Sequence, residues 1–148
     1  MDYAGNPNIP IEAHLLIGCW REAERADQVS LGLDGLRSVL PETFHGHMVA
    51  VTEEVRSSGR LLRELGERCQ PPGDRGSIVL NYLQIILPCL SRSLTDIASY
   101  YEDKTLSREI RWRKMYNKMS EEAGGLQLPH RFVLYNHFLT LLKQLLAR

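Results

Sequence analysis

The segment from Ser77 to Tyr101 is the longest strongly apolar stretch of the 148-residue chain, and it limits the possible folds more than any other feature. Its apolar residues recur at intervals of three and four, as on one face of an α-helix. Those residues are Val79, Leu83, Ile86, Leu90, Leu94, Ile97 and Tyr101. A second set widens the apolar arc, which is typical of a helix packed on more than one side. That set is Tyr82, Ile85, Leu87 and Cys89.

Two features of this segment qualify the prediction of a central helix. The run from Leu80 to Leu90 is too short to span a bilayer, which requires about 20 predominantly apolar residues. Pro88 lies inside the pattern and removes one backbone donor, so we expect a bend between Gln84 and Pro88. A tolerated bend is the simpler interpretation, and a moving hinge is the functional alternative.

The first 69 residues contain two further amphipathic patterns. The earlier one repeats like a heptad, with Glu22 as its one polar interruption, at Leu15, Cys19, Ala26, Val29, Leu33, Leu36 and Leu40. It predicts one helix from Ile11 to Leu40 or a helix broken between Val29 and Gly35, because each glycine there weakens a helix by about 1 kcal/mol. We favour one continuous helix. The later pattern has a charged outer face and apolar positions at Phe44, Met48, Val51, Val55, Leu62, Leu65 and Cys69.

The last 45 or so residues predict two more helices. The shorter one covers Leu106 to Ala123 and ends at Gly124-Gly125, and the final helix begins near Pro129. One apolar stripe of the final helix comprises Phe132, Tyr135, Leu139, Leu142 and Leu146. A second, called the final-helix stripe below, comprises Leu134, Phe138, Leu141 and Leu145. A helix that is apolar on two faces is either buried between neighbours or contacts another molecule.

Together these patterns predict an all-α fold, an antiparallel bundle of four to six helices with long, coiled-coil-like first and second helices. Residues 11–148 form one domain after a flexible lead-in at residues 1–10. The LLKQLLAR ending has no stop signal, so we expect a domain cut from a longer protein. The predicted core includes Leu33, Leu36, Val51, Val55, Leu62, Leu83, Ile86, Leu90, Ile97, Phe132, Leu139 and Leu142.

Composition excludes some classes of function. Eighteen basic and eighteen acidic residues cancel, so no global positive field indicates nucleic acid. Three cysteines without a CxxC motif favour reduced thiols, and residues 1–10 lack the features of a signal peptide. We therefore expect an intracellular, cytoplasmic chain, with a nuclear location left open.

No grouping of residues predicts catalysis. His45 and His47 are a pair without the third and fourth ligands that a metal site needs. Cys19 and Cys89 occupy apolar positions, where we expect small buried hydrophobes. We therefore predict a protein that is not an enzyme and has no cofactor, metal or small-molecule substrate. A catalytic site would require His45, His130 and His137 to meet in space.

The segment KTLSREIRWRKMYNK is the one local charge anomaly. Its basic residues step by three or four, which puts them on one helix face beside Trp112. The candidate anion- or lipid-binding residues are Lys104, Arg108, Arg111, Trp112, Lys114 and Lys118. Such a face can bind lipid headgroups or a phosphate backbone. The alternative is a solvated face that nearby carboxylates neutralise.

Three motifs stand out in the second half of the chain: YYEDK at Tyr100–Lys104, RWRKMY at Arg111–Tyr116 and LPHRFVLYNHFL at Leu128–Leu139. They resemble the helical N-terminal domains of large, mostly uncharacterised proteins of filamentous fungi. The chain is distantly similar to the HeLo-like and STAND N-terminal bundles of fungi, which implies a role in recognition and signalling. Its polar Met1–Pro10 differs from the apolar N-terminus of that group, so the resemblance does not extend to membrane attack.

These observations predict a scaffold or signalling domain that binds a protein partner or a second copy of itself, with the final-helix stripe as the candidate surface. The alternative function is binding of an anionic membrane or nucleic acid by the basic segment.

Overall fold

The computed structural model describes residues 11–69 and 74–147, which form five α-helices and no strand. The helices are α1 (Ile11–Arg37), α2 (His45–Arg68), α3 (Asp74–Tyr101), α4 (Arg108–Glu122) and α5 (Leu128–Ala147), with a 3₁₀ turn at Glu42–Phe44. The predicted all-α bundle is confirmed. The predicted lead-in at residues 1–10 and residues 70–73 of the predicted turn lie outside the described residues.

Helix α1 is continuous through Gly32 and Gly35, which agrees with the favoured alternative. Burial of its apolar face along the whole helix outweighs the helix-weakening effect of the two glycines. Glu22, the interruption in the pattern, has no exposed surface, and its carboxylate lies 3.2 Å from Nε of Arg25. The ion pair allows a carboxylate at a position that the heptad pattern reserves for an apolar side chain.

Helices α1 and α2 run antiparallel and approach closely through small residues. A Cβ on Gly59 would lie 3.3 Å from the Ala23 oxygen, and a Cβ on Gly66 would lie 3.2 Å from the Trp20 ring. Nearer the other end of the pair, Arg56 contacts Asp34 at 2.9 Å. Residues later in α1 thus contact residues earlier in α2, which shows that the two helices are antiparallel.

Helix α5 packs against both α2 and α3. The buried Asn136 donates from Nδ2 to the Glu54 backbone oxygen at 2.8 Å and accepts from the Ser58 hydroxyl at 2.5 Å. Further along, Lys143 contacts Glu64 at 2.5 Å, so α5 is parallel to α2. Because polar groups buried in an interface must find partners, Asn136 sets the position of α5 along α2.

Helix α4 lies at one end of the bundle, where α3 ends and α2 and α5 begin. The Tyr116 ring packs edge-on against His47, and the Arg113 guanidinium lies 5.2 Å from the centre of the Phe44 ring. Arg131 donates to the Met119 oxygen at 3.1 Å. Gly124 and Gly125 have φ values of 68° and 91°, the left-handed conformation that commonly ends a helix, as predicted.

All twelve predicted core residues are buried. Helix α3 runs without a break through Pro88, and the predicted bend and hinge stay predictions. Helix α3 is also long and apolar enough to cross a membrane, but half of its most apolar 18-residue window is buried inside the bundle. Burial of that kind is also found in the core helix of a bundle, so the hydropathy of α3 does not by itself indicate a membrane span.

Candidate interaction surfaces

An apolar groove lies between α3 and α5, at the end of the bundle opposite α4. It has a volume of about 340 Å³ and is lined by Tyr82 of α3 and by Phe138, Leu141, Leu142, Gln144 and Leu145 of α5. The Tyr82 and Phe138 rings meet edge to face across it, with centroids 5.9 Å apart. We call these six residues the α3/α5 groove. Five of its six side chains are apolar or aromatic, as is typical of sites that accept an apolar group.

Exposed apolar side chains extend this groove along both helices. On α3, Ile78, Tyr82 and Ile85 are exposed, with 64% of Ile85 accessible. On α5, Leu134 and Leu141 are 59% and 49% accessible. Single exposed apolar residues are ordinary, but a group of them beside an apolar groove indicates a contact site.

The final-helix stripe is therefore divided. Leu134 and Leu141 face solvent, whereas Phe138 and Leu145 are half-buried against the core and form part of the groove. The neighbouring stripe is largely in the core, with Phe132, Leu139 and Leu142 buried. This helix thus uses one apolar face for the core and leaves part of the other accessible.

The α3 half of the groove was missed from the sequence. The predicted widening of the buried arc is correct for Leu87, which has no exposed surface. It is wrong for Tyr82, Ile85 and Cys89, because all three are exposed. Tyr82 follows Ile78 by four residues and Ile85 follows Tyr82 by three, so all three lie on one outward face of α3. This spacing indicates that the three residues share a face of the helix, but it does not show whether another helix covers that face or leaves it exposed to solvent.

Trp112 is not an exposed anchor, which corrects the predicted membrane or phosphate contact. Only 3% of its surface is accessible, and its ring packs 5.5 Å from the Tyr116 ring. Met115 and Met119 are buried with it. Because α4 closes the end of the bundle, its apolar side must face the core, and Trp112 lies on that side.

The basic segment does not form a single free face. Lys104 precedes α4 instead of lying on it, because the helix begins at Arg108. Arg111 donates to the backbone oxygens of Leu106 at 2.9 Å and Tyr101 at 3.3 Å, so it ties α4 to the end of α3. Arg108, Lys114 and Lys118 remain exposed on α4.

The histidine pair has structural contacts. Nε2 of His45 lies 2.8 Å from the Leu40 oxygen, and Nδ1 of His47 lies 3.4 Å from the Tyr116 hydroxyl. Among the described residues, no group of three His, Cys, Asp or Glu side chains is arranged to hold a metal ion. His45, His130 and His137 accordingly form no such group.

A separate concavity, of about 190 Å³, is lined mainly by polar and charged side chains, those of Cys89, Arg92, Ser93, Asp96, Glu122 and Arg131. Burial, and then the nearby Glu122 carboxylate, raises the pKa of Asp96. The Arg92 and Arg131 guanidinium groups act against this rise in the pKa, and the side chains that line the concavity come from α3, α4 and α5.

Comparison with known proteins adds no relative. The chain matches no protein-family model, no curated protein and no solved structure.

Proposed function

We propose that this chain is a non-catalytic protein-interaction domain that docks an apolar helix face in the α3/α5 groove. The observation that carries the proposal is the groove together with the exposed Ile78 and Ile85 on α3 and Leu134 on α5. An apolar groove between two helices is one of the recurring ways in which proteins bind an amphipathic helix.

The size of the groove supports a reversible contact. Complete burial of one large apolar side chain contributes about 1.5–3 kcal/mol, and side chains that are already half-buried contribute about half of that. Association costs about 4–15 kcal/mol in lost freedom. Three or four half-buried anchors contribute about 2–6 kcal/mol, which reaches only the lower part of that range. Binding therefore also needs the apolar side chains of the partner, and a weak, reversible contact of this kind suits a scaffold or signalling domain. The resemblance to fungal signalling proteins supports the same intracellular role.

The partner is either another protein or a second copy of this chain, and light scattering over a concentration series separates the two. A mass that rises with concentration, and that returns to the monomer value in Leu141→Ser, means self-association through the groove. The matched control is Leu31→Ser, because Leu31 is exposed on α1 away from the groove. A monomer at every concentration directs the search to a foreign helix. Oligomers unaffected by Leu141→Ser and by Ile85→Ser would contradict use of this surface.

A second candidate function uses the exposed Arg108, Lys114 and Lys118 of α4 with Lys104. These residues can contact anionic headgroups or phosphates without Trp112, at about 1 kcal/mol each near an anionic membrane. Cosedimentation with phosphatidylserine vesicles at low and high salt tests this function. Binding that high salt removes, and that the Lys114→Glu/Lys118→Glu variant loses, supports it. Absence of binding at low salt rejects it for membranes.

A further inference from the structure

The two helices that form the groove carry almost no negative charge. The chain has 18 acidic residues, but none lies between residues 75 and 95 or between residues 128 and 147. The first range covers α3 between its first residue, Asp74, and the turn that contains Asp96, and the second covers the whole of α5. The described acidic residues lie instead on α1, α2 and α4, in the connections, and towards the two ends of α3, as Asp74 and Asp96.

Two of the basic side chains on these helices bind groups on α2 and α4 and do not face the groove as free charges. Lys143 pairs with Glu64 of α2, and Arg131 donates to the Met119 oxygen of α4. Arg92 lies one turn before Asp96 on α3, and both line the polar concavity that also contains Glu122 of α4. Arg75 lies one turn before Ile78 and is exposed, as is His137 beside Leu141 on α5. The surroundings of the groove are thus neutral or positive.

From this distribution, and resting on the function proposed above, we infer that the occupant is an amphipathic helix whose apolar face is flanked by Glu or Asp. Complementary charge at the rim of an interface favours the correct partner and disfavours like-charged ones. A helix flanked by Lys or Arg would find no carboxylate between residues 75 and 95 of α3 or anywhere on α5.

The same distribution argues against a second copy as the occupant. A two-fold dimer brings the same patch of both subunits together, so each α3 and α5 would meet surfaces that lack carboxylates. The shape argues against a bilayer. Leu142 is buried and Phe138 half-buried at the bottom of the groove, whereas membrane-binding surfaces project their apolar side chains outward.

The length of the surface defines the partner. Leu134 and Leu145 are eleven residues apart on α5, which corresponds to about 16 Å at 1.5 Å per residue. A partner helix of about three to four turns covers this distance. Its apolar anchors would follow the i, i+3, i+4, i+7 spacing of grooves that bind helices.

A displayed library of helical peptides tests the inference. Each peptide has about 16 residues, fixed Leu at the anchor spacing and Glu, Lys or Ser in equal proportion at the flanking positions. Clones are selected on the wild-type chain and depleted on Leu141→Ser, which alters an exposed side chain of the groove without changing its charge. The expected result is an excess of Glu over Lys and about threefold to tenfold tighter binding of Glu-flanked peptides, as one or two rim charge pairs provide.

Arg75→Glu is the matched variant, since a carboxylate in the first turn of α3 is compatible with that helix. We expect it to remove or reverse the preference for Glu-flanked peptides. Leu141-dependent peptides without a preference for Glu would overturn the charge inference and leave the proposed function in place. A library without any Leu141-dependent binder would overturn both. A Leu141-dependent dimer, or binding to phosphatidylserine vesicles that the neutral Leu141→Ser variant loses, would assign the groove to a different occupant.

Discussion

Tyr101, the last residue of α3, packs its ring against Gly32 of α1. A Cβ at position 32 would lie 2.8 Å from the Tyr101 hydroxyl oxygen and closer still to two ring carbons. The aromatic ring therefore occupies space that any other residue at position 32 would need. This contact explains the value of a glycine that weakens the helix containing it.

We predict that Gly32→Ala lowers the free energy of unfolding by about 1–3 kcal/mol, because the added methyl displaces the Tyr101 ring. The matched control is Gly35→Ala on the same helix, where a Cβ meets no atom within 4 Å. That substitution should stabilise the fold by about 0.4–1 kcal/mol, since alanine is the better helix former. Urea unfolding of both variants measures the difference. Equal stabilisation by the two substitutions would contradict the packing of Tyr101 on Gly32.

Asn136 provides a second test, at the α2–α5 interface. Asn136→Ala should cost about 1–3 kcal/mol, because it removes the amide that bridges Glu54 and Ser58 and leaves buried polar groups with fewer partners. His137→Ala, at the exposed neighbouring position, should change stability by less than about 0.5 kcal/mol. A double-mutant cycle with Ser58→Ala should give a coupling of about 0.5 kcal/mol or more. Additive effects would mean that Ser58 and Asn136 do not interact.

The cysteines predict a dependence of stability on alkaline pH. Burial, with a smaller contribution from the nearby Cys69, raises the pKa of Cys19 to about 12 from the ordinary thiol value of 9.0. Because the folded state disfavours the thiolate, this contribution to stability is complete below pH 9 and is lost as the pH rises toward 12. Urea unfolding at pH 8 and pH 10.5 should therefore show a larger loss for the wild type than for Cys19→Ala. Equal losses would place Cys19 in a more polar environment.

Thiol labelling of the native chain offers an independent measurement. Cys89 is exposed, whereas Cys19 and Cys69 are buried. A maleimide at pH 7.5 should modify Cys89 at the rate of an accessible thiol, and the other two only when the chain opens. Mass spectrometry of Cys89→Ser after the same treatment should find almost no label. Rapid labelling of that variant would show that the bundle is looser than described.

Trp112 separates the core assignment from the membrane hypothesis. Trp112→Ala should cost about 3–5 kcal/mol, as expected for a large aromatic residue in a core. The fluorescence of Trp112 should be blue-shifted and should not change when anionic vesicles are added. Trp20, the other tryptophan, is 38% accessible, so the spectra are recorded on Trp20→Phe. A vesicle-induced shift in that variant would return Trp112 to the list of membrane contacts.

The helical pattern predicted the core better than it predicted the surface. Leu83 and Leu90 could be assigned to the core because burial on a helix recurs with the helical repeat, and the chain alone carries that information. Tyr82 and Ile85 could not be assigned correctly, because an apolar residue on a second face is buried only when another helix covers it. Trp112 shows the reverse case, since its basic neighbours indicate solvent while its own side of α4 faces the bundle.

The sequence by itself determined that this chain is helical, which faces of its helices enter the core, and where its last two helices are separated by glycines. These properties depend on spacing and local conformational preference. Only the tertiary structure decided that α4 covers one end of the α3–α5 pair, that Arg111 is used to join α4 to α3, and that the α3/α5 groove at the other end stays open. Those outcomes depend on which elements meet, and residues distant in the chain, such as Tyr82 and Phe138, become neighbours only through packing.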